Sequence, residues 1–348
     1  MGWRNSCRGL GAAAAVVLSA LLALSPALAA DQSLIDAAKK EGQVTWYTTQ
    51  IVDQLARPAA AAFEKKYGIH VDYVRADPID IVLRITAEAR AGHVQADVFD
   101  GTATTPGLRK EGLVLKWVPD SAARLPAQYV DRDGYWVATN LYVLTPGYNT
   151  SLIAKGTEPR TYQDLLDPKW KGKMAWSRSP VTSGGPGVVG LLLADMGEDR
   201  GMAYLRQLAK QGITGVDATA RQVLDQVIAG EFPLALGIFN HHAVISAAKG
   251  APVDWIPMEP AMGVLSVISV TKDAPHPNAG KLLVDYLVSS EGQAFFRDAD
   301  YLPVDPAVPP RVANLMPESG KFRAIYFTPE EAQDKLVGWT KTFNDLFP

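Results

Sequence analysis

Three short stretches carry side chains able to grip a small charged solute. Thr182-Ser183-Gly184-Gly185-Pro186-Gly187 precedes an apolar run at 188–196 that reads as a helix. Glycines let a backbone turn tightly and approach a ligand, and the N–H groups and positive dipole end of a helix start favour an anion. Ser183, Gly184 and Gly185 are therefore candidate anion contacts, although the same string also reads as an ordinary helix start capped by Ser183. Arg221 opens another helical run after residues 215–219. Its guanidinium could clasp a carboxylate or phosphate through two parallel hydrogen bonds, or sit as a solvated helix-end charge. Asn240-His241-His242 follows 234–239, which reads as a buried strand. Adjacent side chains on an extended segment point to opposite faces, so one imidazole could face a crevice while the other packs. Imidazole donates to phosphate or carboxylate, and it also ligates metals. A histidine pair with no cysteine or third histidine nearby is a poor metal set, so metal binding by His241 and His242 stands as the alternative.

These stretches need a scaffold. Residues 33–40, 55–67 and 79–91 carry helical periodicity, and Gly42, Gly68 and Gly92 end them. Between and after them, 44–48, 69–74 and 96–99 read as strands. The alternation predicts a largely parallel sheet wrapped by helices, and in such sheets ligands bind beyond the carboxyl ends of the strands. Thr48, Thr49, Gln50 and Thr102 fall at such ends. A second α/β unit follows, with an extended run at 136–148, a strand at 173–176, helices at 188–196, 201–211 and 220–228, and the strand at 234–239. Residues 263–270 read as a strand and 278–288 as a helix that return to the first unit. A proline-rich stretch at 303–310 leads to a terminal helix near 329–347. Trp46, Tyr47, Tyr142 and Trp255 read as core aromatics.

Composition narrows the function classes. Arg4 and Arg8, an apolar run at 10–24, the Ser25-Pro26 break and Ala27-Leu28-Ala29 read as a secretory leader cleaved after Ala29. Cleavage would leave 319 of the 348 residues and remove Cys7, the only cysteine, so disulfides and thiol catalysis are excluded from the mature chain. Loss of two arginines takes the net charge from −3 to −5, which argues against a nucleic-acid partner. The sequence has no G-x-S-x-G elbow, no P-loop and no H-E-x-x-H pair, and no carboxylate pair stands out. A non-enzyme is expected, with a secreted hydrolase as the remote alternative.

The chain resembles the type 2 periplasmic binding proteins of ABC importers, and among them the ferric-iron-binding-protein-like family (extracellular solute-binding protein family 1). The likeness is carried by Ala96-Asp97-Val98-Phe99, by Asp167-Pro168-Lys169-Trp170-Lys171-Gly172-Lys173 within 161–173, by Thr182-Ser183-Gly184, by 230–242, and by Ser289-Ser290-Glu291-Gly292-Gln293. The resemblance implies an α/β fold of two lobes joined by a hinge, with a ligand cleft between them. Lobe one is expected at 30–137 plus 262–303, and lobe two at 138–261 plus 304–348. Iron-binding members place two adjacent tyrosines where this chain has His241 and His242. Their histidine ligand would fall near Thr49 or Gln50, and their carboxylate ligand at Thr102. Ferric iron prefers anionic oxygen donors. The resemblance therefore points to a small phosphorylated or carboxylated organic anion, with ferric iron or another metal as the alternative. It also implies a monomer in the periplasm that works with an inner-membrane ABC permease and uses no cofactor. The expected contacts are Thr48, Thr49, Thr102, Ser183, Gly184, Gly185, Arg221, Asn240, His241 and His242.

Overall fold

The computed structural model describes residues 31–348; the leader expected at 1–29 lies outside them. The strands are β1 (Gln43–Thr48), β2 (His70–Arg75), β3 (Val98–Gly101), β4 (Val137–Asn149), β5 (Met174–Ser177), β6 (Thr214–Val216), β7 (Leu234–Phe239), β8 (Val253–Trp255), β9 (Ala261–Val270), β10 (Leu302–Pro303) and β11 (Ala324–Phe327). The helices are α1 (Gln32–Glu41), α2 (Arg57–Tyr67), α3 (Pro78–Arg90), α4 (Thr104–Lys110), α5 (Gly185–Met196), α6 (Glu198–Ala209), α7 (Ala220–Ala229), α8 (Asn240–Ala248), α9 (Pro277–Val288), α10 (Ser290–Asp298), α11 (Pro317–Gly320) and α12 (Pro329–Leu346). Most boundaries fall where caps and breakers put them. Gly42, Gly68 and Gly230 end α1, α2 and α7 in the left-handed conformation, and Thr219 and Gln222 close a capping box on α7.

The strands join in the order β2-β1-β3-β9-β4-β7-β5-β6. At one end β1 runs parallel to β2 and β3; at the other, β5 runs parallel to β6 and β7. The carboxyl ends of these two parallel groups carry the loops singled out by sequence. Two long strands link the groups. In β4, Val137–Leu141 pair with the second half of β9, which itself pairs with β3, whereas Leu144–Tyr148 pair with β7. The expected break at 137/138 thus falls at the first residue of a strand that serves both lobes. Such strands are buried on both faces and show no alternation, so the sequence pattern hides the crossing.

The terminal helix seals the second lobe. Thr328 and Glu331 close a capping box at its start. Phe343 and Phe347 pack on Trp176, with the Trp176 and Phe347 ring centroids 4.5 Å apart. Burying a side chain such as Phe343 contributes about 2–3 kcal/mol. This packing requires bare backbone on α5: a Cβ at Gly185 would lie 2.1 Å from the Phe343 ring, and one at Gly190 would lie 2.3 Å from Trp339. No helix among the described residues is long and apolar enough to cross a membrane.

Candidate functional site

The first-lobe side of the crevice is organised by a residue that sequence reasoning passed over. Asp100, near the end of β3, is 1 % exposed. One of its oxygens accepts from Trp46 Nε1 at 2.8 Å and Thr48 Oγ1 at 2.6 Å; the other accepts from the Thr49 N–H at 2.8 Å and Thr49 Oγ1 at 2.7 Å. Burial pushes its carboxyl up and these donors pull it back. Each oxygen is thus held at two hydrogen-bond contacts by neutral groups. No cation pairs with it among the described residues. Gly101 makes the turn possible: its φ is +142°, and a Cβ there would lie 2.9 Å from the Thr104 methyl and 3.0 Å from that of Thr49. Thr48 is fully buried, and its hydroxyl also accepts the Gln50 N–H at 3.1 Å. It shapes the loop and does not face a solute, contrary to expectation. Thr49 and Thr102 are half-buried at the rim.

The floor lies on the linking strands. A register shift between Ala138 and Asn140 marks a bulge in β4, and bulges re-aim side chains beside sites. Asn140 and its register partner Ser266 both receive the Gln50 side-chain amide, at 3.3 and 3.2 Å. Tyr142 follows on β4, and Tyr301 enters just before β10, which pairs with β4. Their ring centroids are 5.8 Å apart. Tyr142 was read as core; it is half-buried and belongs to this floor.

The second-lobe wall corrects the histidine reading. His241 and His242 lie in the first turn of α8, where sequence reasoning had placed an extended segment. Their centroids are 4.3 Å apart, so they share a side of the chain. His241 also stands 5.8 Å from both Tyr142 and Tyr301. Burial, with lesser pushes from His242 and Arg221, holds His241 well below the ordinary imidazole value; burial and then Arg221 hold His242 down to about 4. Both are neutral near pH 7. A cavity of about 20 Å³, room for one water-sized group, is lined by His241, Tyr301 and Leu315 and also by Asp300 and Arg311; His241 is its one expected contact. Asn240 is fully buried, and its amide donates to the Leu315 carbonyl at 2.9 Å.

Several buried polar atoms here have no partner: Gln50 Oε1, Asn140 Nδ2, Asn240 Oδ1, both ring nitrogens of His241 and Nδ1 of His242. Buried polar atoms are almost always paired, so these orphans are candidates for atoms that a ligand would satisfy.

Two expected anion contacts read differently in three dimensions. Gly184 occupies the cap position of α5, and no side chain, Ser183 included, caps the helix. The loop glycines are required for packing: a Cβ at Gly184 would fall 2.2 Å from the Ser179 carbonyl oxygen, and one at Gly187 only 1.7 Å from that of Thr182. The Gly184 N–H is spent on Val181. Ser183 itself is half-buried at the carboxyl end of β5. Arg221 is largely committed, with Nη2 2.6 Å and Nε 3.3 Å from Asp225 and Nη1 donating to Ser246 Oγ at 3.1 Å. Arg178, directly after β5, is the freer cation: its one pairing is a 3.7 Å approach to Asp217, a residue whose side chain is 93 % exposed. Sequence gave no reason to choose Arg178; only its place at a strand end could have flagged it.

Residues 58–320 match the family model described as bacterial extracellular solute-binding protein. A putative 2-aminoethylphosphonate-binding periplasmic protein of Salmonella typhimurium is 26% identical over 314 residues, covering 86% of this chain and 84% of that one. Iron uptake protein A1 of Synechocystis is 21% identical over 350 residues, covering 97% and 96%. Among solved structures, a Trichodesmium protein in complex with iron and citrate superposes with a TM-score of 0.74 at 18% identity, covering 88% of this chain and 99% of that one. The periplasmic binding protein AfuA from Actinobacillus pleuropneumoniae, with fructose-6-phosphate bound, gives 0.68 at 22% identity, covering 88% and 98%. These structural likenesses show the two-lobed fold.

Proposed function

This chain belongs to the bacterial extracellular solute-binding protein family, and we propose that it captures a small phosphorylated, phosphonylated or carboxylated solute between its lobes for an ABC permease in the inner membrane. The observation that carries this reading is the set of unpartnered buried polar atoms on Gln50, Asn140, His241 and His242, with Arg221 near both histidines. It supplies neutral donors and acceptors with a cation near the histidines, which suits an organic anion. Closure would bend β4 and β9 near Tyr142 and Leu265, where both strands change partners. The leader read at 1–29 and the periplasmic relatives support a periplasmic location. No chemical step is needed.

Ferric iron is the second reading, favoured by Tyr142, Tyr301 and His241 standing together. Against it, ferric iron prefers anionic oxygen donors, and His241 and His242 offer neutral nitrogen. A thermal-shift panel separates the readings, because a ligand at a thousand times its Kd stabilises the fold by about 4 kcal/mol. Phosphonates, sugar phosphates or carboxylates should raise the Tm, and ferric citrate should not. A shift with ferric citrate alone would reverse the assignment.

A further inference from the structure

The terminal helix touches both lobes. Its later turns pack on α5 and Trp176, whereas its first turn meets α4, which packs on α3 and β3, and Trp136, which leads into β4. Glu330 lies in that first turn. The Trp136 indole N–H donates to its two oxygens at 3.2 and 3.1 Å, and Arg109 Nη1 stands 3.5 Å from one of them. One turn on, Lys110 Nζ donates to Asp334 at 3.3 Å. Just ahead of the helix, Tyr326 of β11 sets its ring centroid 6.1 Å from that of Tyr129. An acid in the first turn is favoured by the helix dipole wherever it points. The dipole does not explain why Glu330 is aimed at two donors of the other lobe.

The first-lobe half of this joint is fixed in advance. Arg109 lies over Tyr135, its guanidinium 4.2 Å from the ring centroid; it bonds Asp133 and stands 3.7 Å from Asp131. Its own lobe thus holds the side chain, so reaching Glu330 costs little further ordering. An open gap of about 270 Å³ is lined by Pro106, Arg109, Lys110, Glu330 and Asp334. Polar bonds therefore span the joint, and parting it exposes little apolar surface. The two parts of the joint differ in strength. The Lys110 and Asp334 side chains are 63 % and 67 % exposed, and such pairs contribute little. Arg109 and Glu330 are 29 % and 27 % exposed, and Trp136 is buried with an indole N–H that needs an acceptor, so Glu330 carries most of the hold.

We infer that the first turn of α12 is a polar clasp between the lobes, with Glu330 as its pin, and that it sets how readily the lobes leave the arrangement seen here, whatever solute the crevice takes. Its two ends are anchored on different lobes, so rotation about β4 and β9 has to stretch or break it. The test is the distance distribution between spin labels on Leu83→Cys in α3 and Leu152→Cys beyond β4, both exposed, in a Cys7→Ser chain, with melting curves to establish folding. Glu330→Gln should lower the share of the parent's main distance, relative to all others, about fivefold or more. Lys110→Glu and Asp334→Lys each set like charges together and should shift it the same way by less. Combined, they restore opposite charges and should return the parent distribution. A parent-like distribution in folded Glu330→Gln, or a double variant that is not restored, overturns the clasp. If Glu330→Gln does not fold, the exposed pair decides: unchanged distributions in Lys110→Glu and Asp334→Lys overturn it.

Discussion

Asp100 and His241 are both almost wholly buried polar groups at or just past strand ends, one on each lobe, yet their surroundings treat them oppositely. Asp100 sits among four donors, supplied by three residues of β1 and the turn after it. His241 has two ring nitrogens and a partner for neither. The first arrangement is complete without a ligand and fixes a loop. The second is incomplete, and under the proposed function a ligand would complete it. Burial and polarity alone would rank the two residues together; hydrogen-bond satisfaction separates architecture from binding.

The sharpest way to break that comparison is to remove each group in turn. Asp100→Ala should cost on the order of 4 kcal/mol by stranding buried donors, read as a large fall in the denaturation midpoint. His241→Leu should leave stability within about 1 kcal/mol or raise it, because it replaces an unpaired polar group by an apolar one of similar bulk. If the two variants lost equal stability, the contrast would be wrong.

Gly187→Ala tests whether the glycine-rich loop is a packing device. Its new methyl would collide with the Thr182 carbonyl, and the expected loss is about 2 kcal/mol in unfolding free energy. Ser183→Asp probes the same loop for charge. Ser183 caps nothing, so the fold should survive, while anion affinity should fall by about ten- to a hundredfold. Unchanged affinity would confine the loop to structure.

A further effect is with pH. His242 titrates at about 4 in the folded protein, against 6.5 for an ordinary imidazole. Between those values the unfolded chain binds more protons than the folded one, so stability rises with pH. The contribution is fully present above pH 6.5 and is lost as pH falls through 4, at somewhat under about 1.4 kcal/mol per unit for a half-buried group. Melting curves from pH 4 to 7 should show this slope, and His242→Gln should flatten it.

The sequence made the α/β alternation legible because Gly42, Gly68 and Gly230 stop helices where periodicity ends. It also placed Thr49, Thr102 and Asn240 directly after strands, where β1, β3 and β7 end. It misjudged α8 because Asn240-His241-His242 has no capping signature: the cap position is Phe239, which makes no side-chain cap bond. It missed Asn140, Tyr142 and Tyr301 because strands buried on both faces carry no alternation, and because Tyr301 meets Tyr142 only through a long-range contact. It missed Asp100 because a lone carboxylate has no local motif; its meaning lies in donors from another strand.

The most direct measurement is calorimetric titration of His241→Leu beside the parent, with whichever phosphonate, phosphate or carboxylate probe binds the parent and with melting curves on both. Affinity should drop at least about tenfold while the melting temperature holds or rises. Affinity within twofold of the parent would mean that the unpaired imidazole is not where the solute sits.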